Sequence, residues 1–165
     1  MKKLIFTFSI LLFIACDSQP KQEKVAAPDY IYEATYLDTF TLDDQSNVLL
    51  VQEMHKHLIA KDFEKAFSYL ADEIVFSNGD GTSVEGKEAV IEFISENFSA
   101  VNINNYQVGV NFSVQGDNGD QWVLLWDNAE LETPNGDKTN FTWMEAFQLK
   151  DGKIVRMNQF AKPVL

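Results

Sequence analysis

The chain has few of the residues that form disulfide crosslinks or bind nucleic acid. Its 165 residues include a single cysteine, Cys16, so no internal disulfide can form. Positive charge is scarce too, because 13 lysines and arginines stand against 25 aspartates and glutamates, which leaves a net charge of −12. A chain this acidic repels nucleic-acid phosphates and anionic lipid headgroups. We therefore expect no nucleic-acid partner and no attachment to a membrane through charge.

The longest apolar run lies at the N-terminus, where Lys2 and Lys3 precede an uncharged stretch over residues 4–15 that ends at Cys16. A basic start followed by an apolar core of about 12 residues is typical of a secretory signal, and it is shorter than the roughly 20 residues that span a bilayer. The ending over 13–16 resembles a bacterial lipoprotein signal, in which the cysteine becomes the lipidated N-terminus. We therefore predict an exported protein in the bacterial cell envelope, held by a lipid at the periplasmic face or the cell surface. An uncleaved N-terminal anchor is the alternative.

This pattern divides the chain into three segments. We predict a signal peptide over 1–15, a lipidated cysteine with a flexible tether over 16–29, and one folded domain over 30–165. The tether is polar, as expected of a flexible linker. The start of the domain is too apolar for a free linker, so we expect it to lie against the rest of the domain. Its bulky residues are Tyr30, Tyr32, Tyr36, Phe40 and Leu42.

The first part of the domain shows helical periodicity. Apolar residues recur at spacings of three and four, which predicts helices that each bury one face. The helices are expected from about Ser46 to Lys61, from Phe63 to Leu70 and from Lys87 to Phe98. A short strand over 74–76 and a loop over 78–81 separate the last two helices.

From Tyr106 onward the apolar pattern alternates, which predicts strands. Four strands are expected, over Tyr106–Val114, Gln121–Leu131, Asn140–Lys150 and Lys153–Phe160. Asn-Gly and Asp-Gly pairs between the last three strands are strong signals for hairpins. Helices followed by an antiparallel meander predict an α+β domain.

Four local strings resemble the nuclear transport factor 2-like superfamily, which includes ketosteroid isomerases and SnoaL-like polyketide cyclases. They lie over residues 60–63, 69–76, 84–90 and 147–155. The resemblance implies a cone-shaped fold, in which about three N-terminal helices pack on a curved antiparallel sheet and a pocket opens at the wide end. It does not imply one activity, because a fold hosts many functions.

The positions that ketosteroid isomerases use for catalysis correspond, by this resemblance, to Met54, Asn78 and Glu145. A thioether donates no hydrogen bond, and an amide is not a general base, so Met54 and Asn78 cannot do the work of the isomerase tyrosine and aspartate. Only Glu145 keeps a suitable side chain. The resemblance therefore favours the fold and the pocket over the isomerase reaction.

Turn geometry predicts which side chains share the pocket face of the sheet. If Asn135-Gly136 and Asp151-Gly152 are both two-residue loops, Trp126 and Asn158 stand opposite Glu145. The face then carries aromatic residues around a few polar groups, as small-molecule pockets do. The ligand-binding residues predicted on this basis, together with Met54 from the first helix, are Trp122, Trp126, Asn128, Phe141, Trp143, Phe147, Arg156 and Asn158. A one-residue error in either loop would move the partner strand's side chains to the other face.

Glu145 is the leading candidate for chemistry, with His55 as its acid–base partner. Aromatic surroundings would desolvate the Glu145 carboxyl and raise its pKa, which suits a proton donor. The alternative is a structural ion pair with Arg156. His55 and His57 diverge on the helix and cannot chelate one metal together, so a metal would need His55 with distant carboxylates. Nothing in the spacing demands this, and no phosphate loop is present, so we expect no metal and no cofactor. Asp127 falls on the opposite face in this register, and turn chemistry accounts for Asp80.

Taken together, the sequence predicts a membrane-tethered lipoprotein that binds a small, largely apolar molecule and forms a homodimer. An enzyme of the isomerase or cyclase type, using Glu145 and His55, is the second possibility. The third is a protein-interaction module, in which the sheet face and the segment over 30–40 dock a partner.

Overall fold

Three helices and seven strands make up the part of the chain that the computed structural model describes, residues 31–164 except 33, 35, 37 and 38. In chain order the elements are β1 (Phe40–Leu42), α1 (Ser46–Ile59), α2 (Phe63–Phe67), β2 (Leu70–Asn78), β3 (Ser83–Glu85), α3 (Lys87–Ser99), β4 (Asn102–Gly116), β5 (Gln121–Glu132), β6 (Lys138–Lys150) and β7 (Lys153–Pro163). The α+β class is confirmed. No helix in the described ranges is both long enough and apolar enough to cross a bilayer.

The strands form one curved sheet in the order β1-β4-β5-β6-β7-β2-β3. All neighbouring pairs are antiparallel except β2 and β7, which run parallel. A parallel pair needs a long crossover between its strands, and the chain between β2 and β7 supplies it. The predicted meander is therefore present as β4 to β7, and β2 extends it at the β7 edge.

The helices cover one face of the sheet, which we call the inner face. Val51, Met54 and Leu58 on α1 follow helical spacing and are buried against it, and α3 contributes Val90 and Ile94. Met54 is only 2% exposed and belongs to this core. The inner-face residues of the central strands include Val123, Leu125, Phe147, Leu149 and Met157.

The elements differ from the sequence prediction mainly in β2. The second helix ends at Phe67 instead of continuing to Leu70. Leu70 already belongs to β2, where it pairs with Ile154 and is buried, so pairing and burial outweigh its helical spacing from Phe63. The short strand β3, which pairs with β2, was not predicted.

The hairpin between β5 and β6 corrects the predicted register. Glu132 pairs with Lys138, so the connection contains five residues rather than two. Gly136 donates its amide to the Thr133 carbonyl within this longer loop. As a result Leu125, not Trp126, stands opposite Glu145. Since a shift of one residue exchanges the faces of a strand, Trp122, Trp126 and Asn128 lie on the outer face, away from Glu145.

The hairpin between β6 and β7 was predicted correctly at its turn but not beyond it. Lys150 pairs with Lys153 across Asp151-Gly152, whose positive φ angles of 52° and 70° suit a tight hairpin turn. A β-bulge follows: Leu149 pairs with Ile154, but the next residue of β6, Gln148, pairs with Arg156.

The bulge leaves Val155 as the extra residue and shifts the rest of β7 by one position. Gln159, not Asn158, therefore stands opposite Glu145. The predicted placement of Arg156 and Asn158 on the pocket face is wrong for the same reason, since both lie on the outer face.

The segment before α1 contacts the domain where the structure describes it. Residues 40–42 pair with β4 as strand β1, and the Tyr36 hydroxyl donates a hydrogen bond to Asp120. The predicted signal over 1–15, Cys16, the tether over 16–29 and Tyr30 lie outside the described residues.

Candidate functional site

A cluster of polar side chains interrupts the apolar inner face. α1 supplies His55, β5 supplies Asp127 and β6 supplies Glu145, and all three are buried. Tyr106 on β4 and Gln159 on β7 complete the cluster through hydrogen bonds. Each side chain belongs to a helix or strand, and Tyr106 lies at an irregularity in the pairing of β4.

His55 and Glu145 form the centre of this cluster. The Nε2 atom of His55 lies 3.0 Å from Oε2 of Glu145, and its Nδ1 lies 3.0 Å from the carbonyl oxygen of Val51. Since a carbonyl can only accept, Nδ1 carries a proton, and a second proton lies between Nε2 and the carboxylate. Burial alone would lower the pKa of His55, but the charge and hydrogen bond of Glu145 outweigh it and raise that pKa above its ordinary value. The raised pKa favours the imidazolium form of His55 beside Glu145.

Asp127 is the second carboxylate of the cluster. Its Oδ2 accepts a hydrogen bond of 2.6 Å from the Tyr106 hydroxyl, whereas its buried Oδ1 has no partner among the described residues. Burial and the negative charge of Glu145 raise the pKa of Asp127 to about 6. Burial and the bond to Asp127 raise the pKa of Tyr106 well above its ordinary value, which keeps its hydroxyl a donor.

Gln159 holds the other oxygen of Glu145. Its amide nitrogen donates to Oε1 over 2.7 Å, so each oxygen of the Glu145 carboxylate has one protein donor. The alternative ion pair with Arg156 is not formed, since Arg156 is exposed on the outer face.

Two cavities that share His55, Phe98, Glu145 and Gln159 open beside the cluster. The larger, of about 150 Å³, is lined mainly by apolar side chains between α1, α3 and the sheet. A smaller recess of about 30 Å³ reaches Asp127. The remaining lining residues of the larger cavity are Leu58, Phe76, Asn78, Phe93, Ile94, Asn97 and Met157, and those of the recess are Ile59, Ile103, Tyr106, Asp127 and Trp143.

The larger cavity has about the volume of an engineered cavity that binds benzene, and it is smaller than the roughly 300 Å³ at which drug-sized pockets begin. It therefore suits one ring or one end of a larger molecule. The recess has about the volume of one water molecule, so it suits a single small polar group.

The structure brings together some of the predicted site residues. His55, Glu145 and Trp143 meet at the recess, and Asn78 lines the larger cavity. Phe141 lies next to this group and stacks on Trp143 at a ring distance of 5.8 Å.

Other predicted residues lie elsewhere. Met54 and Phe147 are core residues, with exposed fractions of 2% and 1%. The predicted residues on the outer face, away from both cavities, are Trp122, Trp126, Asn128, Arg156 and Asn158.

The remaining candidates from the sequence have local roles. Asp80 is exposed and accepts a hydrogen bond from the Thr82 amide, as in a turn. His57 faces Asp62 at 3.0 Å, away from His55.

Sequence reasoning missed Asp127, Tyr106 and Gln159. Asp127 and Gln159 were lost because the five-residue loop and the bulge each reversed a face assignment. A usable signal was the phase of β5, because Asp127 follows Val123 and Leu125 at a spacing of two and therefore shares their face, and aliphatic residues suit a face covered by helices.

The cluster also has the composition of a metal-ligand set. His55, Asp127 and Glu145 each offer one ligand atom, and these atoms lie within 4.8 Å of one another. Imidazole and carboxylate ligands suit ions such as Zn²⁺, Mn²⁺ and Fe²⁺. An ion that bound His55 and Glu145 would have to displace the proton between them.

Comparison with known proteins identifies the fold and the family. A family model described as a SnoaL-like domain matches residues 51–157. A sequence search of curated proteins found no match.

Solved structures with the same fold include an LEH-like epoxide hydrolase from M. tuberculosis, with a TM-score of 0.59 and 17% identity over 72% of this chain and 84% of that one. The epoxide hydrolase/cyclase-like enzyme SalBIII of salinomycin pyran-ring formation has a TM-score of 0.61 and 21% identity over 73% of this chain and 93% of that one. An NTF2-like protein from Cytophaga hutchinsonii has a TM-score of 0.51 and 14% identity over 69% of this chain and 97% of that one. At these identities the likeness shows the fold alone.

Proposed function

The chain belongs to the SnoaL-like domain family, and on that premise we propose that its cavity binds a small, largely apolar molecule whose polar end meets Asp127 and Glu145. The observation that supports this most directly is the buried Oδ1 of Asp127, which has no partner among the described residues and belongs to a residue that lines the recess. A buried polar atom without a hydrogen bond costs about 1–3 kcal/mol. A hydrogen bond from a ligand would offset that cost.

An acid–base enzyme is the second candidate, and the hydrogen bond between His55 and Glu145 favours it. The fold of this family is typical of isomerases, cyclases and ligand-binding proteins. A paired imidazolium and carboxylate at a cavity wall can pass a proton to and from a bound molecule. Two structural neighbours are named for epoxide hydrolase or cyclase chemistry, which is compatible with such a pair.

A pair of tryptophan variants tests binding. Trp143 lines the recess, whereas Trp126 lies on the outer face, so the two serve as a matched pair. Benzyl alcohol is a suitable probe because its ring fits the volume of the larger cavity. We expect Trp143→Ala to weaken its affinity several-fold in calorimetry and Trp126→Ala to leave it unchanged. Equal effects of the two variants would refute the proposed site.

Glu145→Gln separates binding from catalysis. If the protein only binds, this variant keeps most of its affinity for an apolar probe. If it catalyses proton transfer, the variant loses turnover of an epoxide or enolisable ketone while its unfolding curve stays native-like. The variant Asp137→Asn, in the exposed loop between β5 and β6, is the matched control.

Cellular location and assembly complete the proposal. The apolar run before Cys16 supports a lipid-anchored protein of the bacterial cell envelope. Homodimer formation, or docking of another protein, is supported by apolar side chains on the outer face, where Met144 and Phe160 are 46% and 59% exposed. These contacts would leave the inner-face cavity free for its ligand.

A further inference from the structure

The recess beside Asp127 carries more negative than positive charge. Two carboxylates, Asp127 and Glu145, face one imidazolium, His55. Its other lining residues, on α1, α3, β4, β6 and β7, are uncharged: Ile59, Phe98, Ile103, Tyr106, Trp143 and Gln159. No lysine or arginine from the described parts of the chain lines either cavity. One negative charge is therefore left uncompensated in a buried place.

Three of the protein donors near the recess act on the carboxylates. His55 and Gln159 donate to Glu145, and Tyr106 donates to Asp127. Oδ1 of Asp127 receives none of these bonds, and it is an acceptor on a residue that lines the recess. A bound group that donates a hydrogen bond therefore suits Asp127, whereas a carboxylate or phosphate group would meet repulsion from the two carboxylates.

The aromatic walls also favour a positive charge. Tyr106, Trp143 and Phe98 line the recess, and aromatic faces attract cations by about 0.5–2 kcal/mol. The net charge of −12 adds a long-range attraction for cations at low salt. In volume the recess admits an ammonium group, while the larger cavity next to it admits a ring.

From these observations we infer that the molecule bound at this site is a small organic cation, a protonated primary amine attached to an apolar ring. The ammonium group occupies the recess and donates to Asp127, and the ring lies in the larger cavity. This inference rests on the proposed function and names the chemical class of its ligand.

Three probes of nearly equal size test the inference: benzylammonium, benzyl alcohol and benzoate. Binding to the full chain is measured by calorimetry at about pH 7.5, where the amine and Asp127 are both charged, with and without a chelator. We expect benzylammonium to bind roughly tenfold more tightly than benzyl alcohol, as a charge-assisted hydrogen bond to a buried carboxylate implies, and benzoate to bind least. The chelator should change nothing.

The variant Asp127→Asn should abolish most of the preference for the amine, since its amide oxygen can still accept the Tyr106 hydroxyl while the charge is gone. Asp137→Asn should keep the preference. The inference of an amine ligand is refuted if benzyl alcohol binds the unmodified protein as tightly as benzylammonium or more tightly, or if the preference for the amine disappears in chelator. Either result leaves the proposed pocket unrefuted. If none of the probes binds, the proposed pocket and the amine are both refuted. The probe comparison on the unmodified protein stands even if Asp127→Asn does not fold.

Discussion

The imidazole of His55 and the carboxylate of Glu145 meet at 3.0 Å inside the core, although 90 residues separate them along the chain. The contact joins α1 to the middle of the sheet. Since burial by itself disfavours a charged imidazole, the charge on His55 depends on this one carboxylate more than on any other group. We predict that Glu145→Gln lowers the pKa of His55 below its value in the unmodified protein, as measured by the pH dependence of its imidazole signals in NMR spectra.

His57 is the internal control for this titration, because the chain has only two histidines. It faces Asp62 near the surface and does not contact Glu145. The substitution should therefore leave the surroundings of His57 unchanged. An unchanged His55 titration in the variant would mean that the pair does not share a proton.

The fold could be predicted from the sequence because its signals are local. Helical spacing before Ser99 and alternation after Asn102 each depend on residues close together in the chain. The Asp151-Gly152 turn is equally local, and its hairpin starts in the predicted register. Leu70 is the instructive exception, since its place in β2 depends on pairing with Ile154, far along the chain.

The site was only partly predictable because it depends on strand register. Glu145 and His55 were identified, and the structure brings them together. Asp127 and Gln159 were not predicted, because the five-residue loop and the bulge at Val155 each exchange the faces of a strand. Bulges depend on packing across the sheet, so no short stretch of sequence predicts them.

A pair of phenylalanine variants tests the observed register. The predicted register placed Phe147 and Phe160 on one face, whereas the bulge separates them: Phe147 is 1% exposed and Phe160 is 59% exposed. We predict that Phe147→Ala lowers the free energy of unfolding by about 3–5 kcal/mol because it opens a cavity in the core. Phe160→Ala should cost no more than about 0.5–1 kcal/mol. Urea denaturation measures both, and similar losses for the two would contradict the bulge.

The lipid anchor is tested at Cys16. Several acyl chains hold a protein firmly at a membrane, at about 0.8 kcal/mol per buried CH₂ group, and the acidic domain offers no electrostatic substitute. We predict that Cys16→Ser moves the protein from the membrane fraction to the soluble fraction, as judged by immunoblotting of fractionated cells. A variant that stays with the membrane would favour the uncleaved N-terminal anchor instead.

The raised pKa of Asp127 predicts how stability depends on pH. Its pKa is about 6 in the folded protein against an ordinary value of 3.8, so between these values the folded state holds more protons than the unfolded state. The contribution of Asp127 to stability therefore falls as pH rises from about 4 to 6. The raised pKa of His55 works in the same direction, but its contribution is lost only above pH 6.5. Exposed carboxylates with lowered pKa values, such as Asp44 and Asp80, have the opposite effect. The informative quantity is therefore the difference in the free energy of unfolding between a variant and the unmodified protein.

We predict that the stability of Asp127→Asn, relative to the unmodified protein, rises from pH 4 to pH 6 and then levels off, whereas Asp137→Asn shows no such rise. Urea unfolding across this range measures the difference, and a relative stability that falls with pH would show that Asp127 is compensated by a charge in the folded protein.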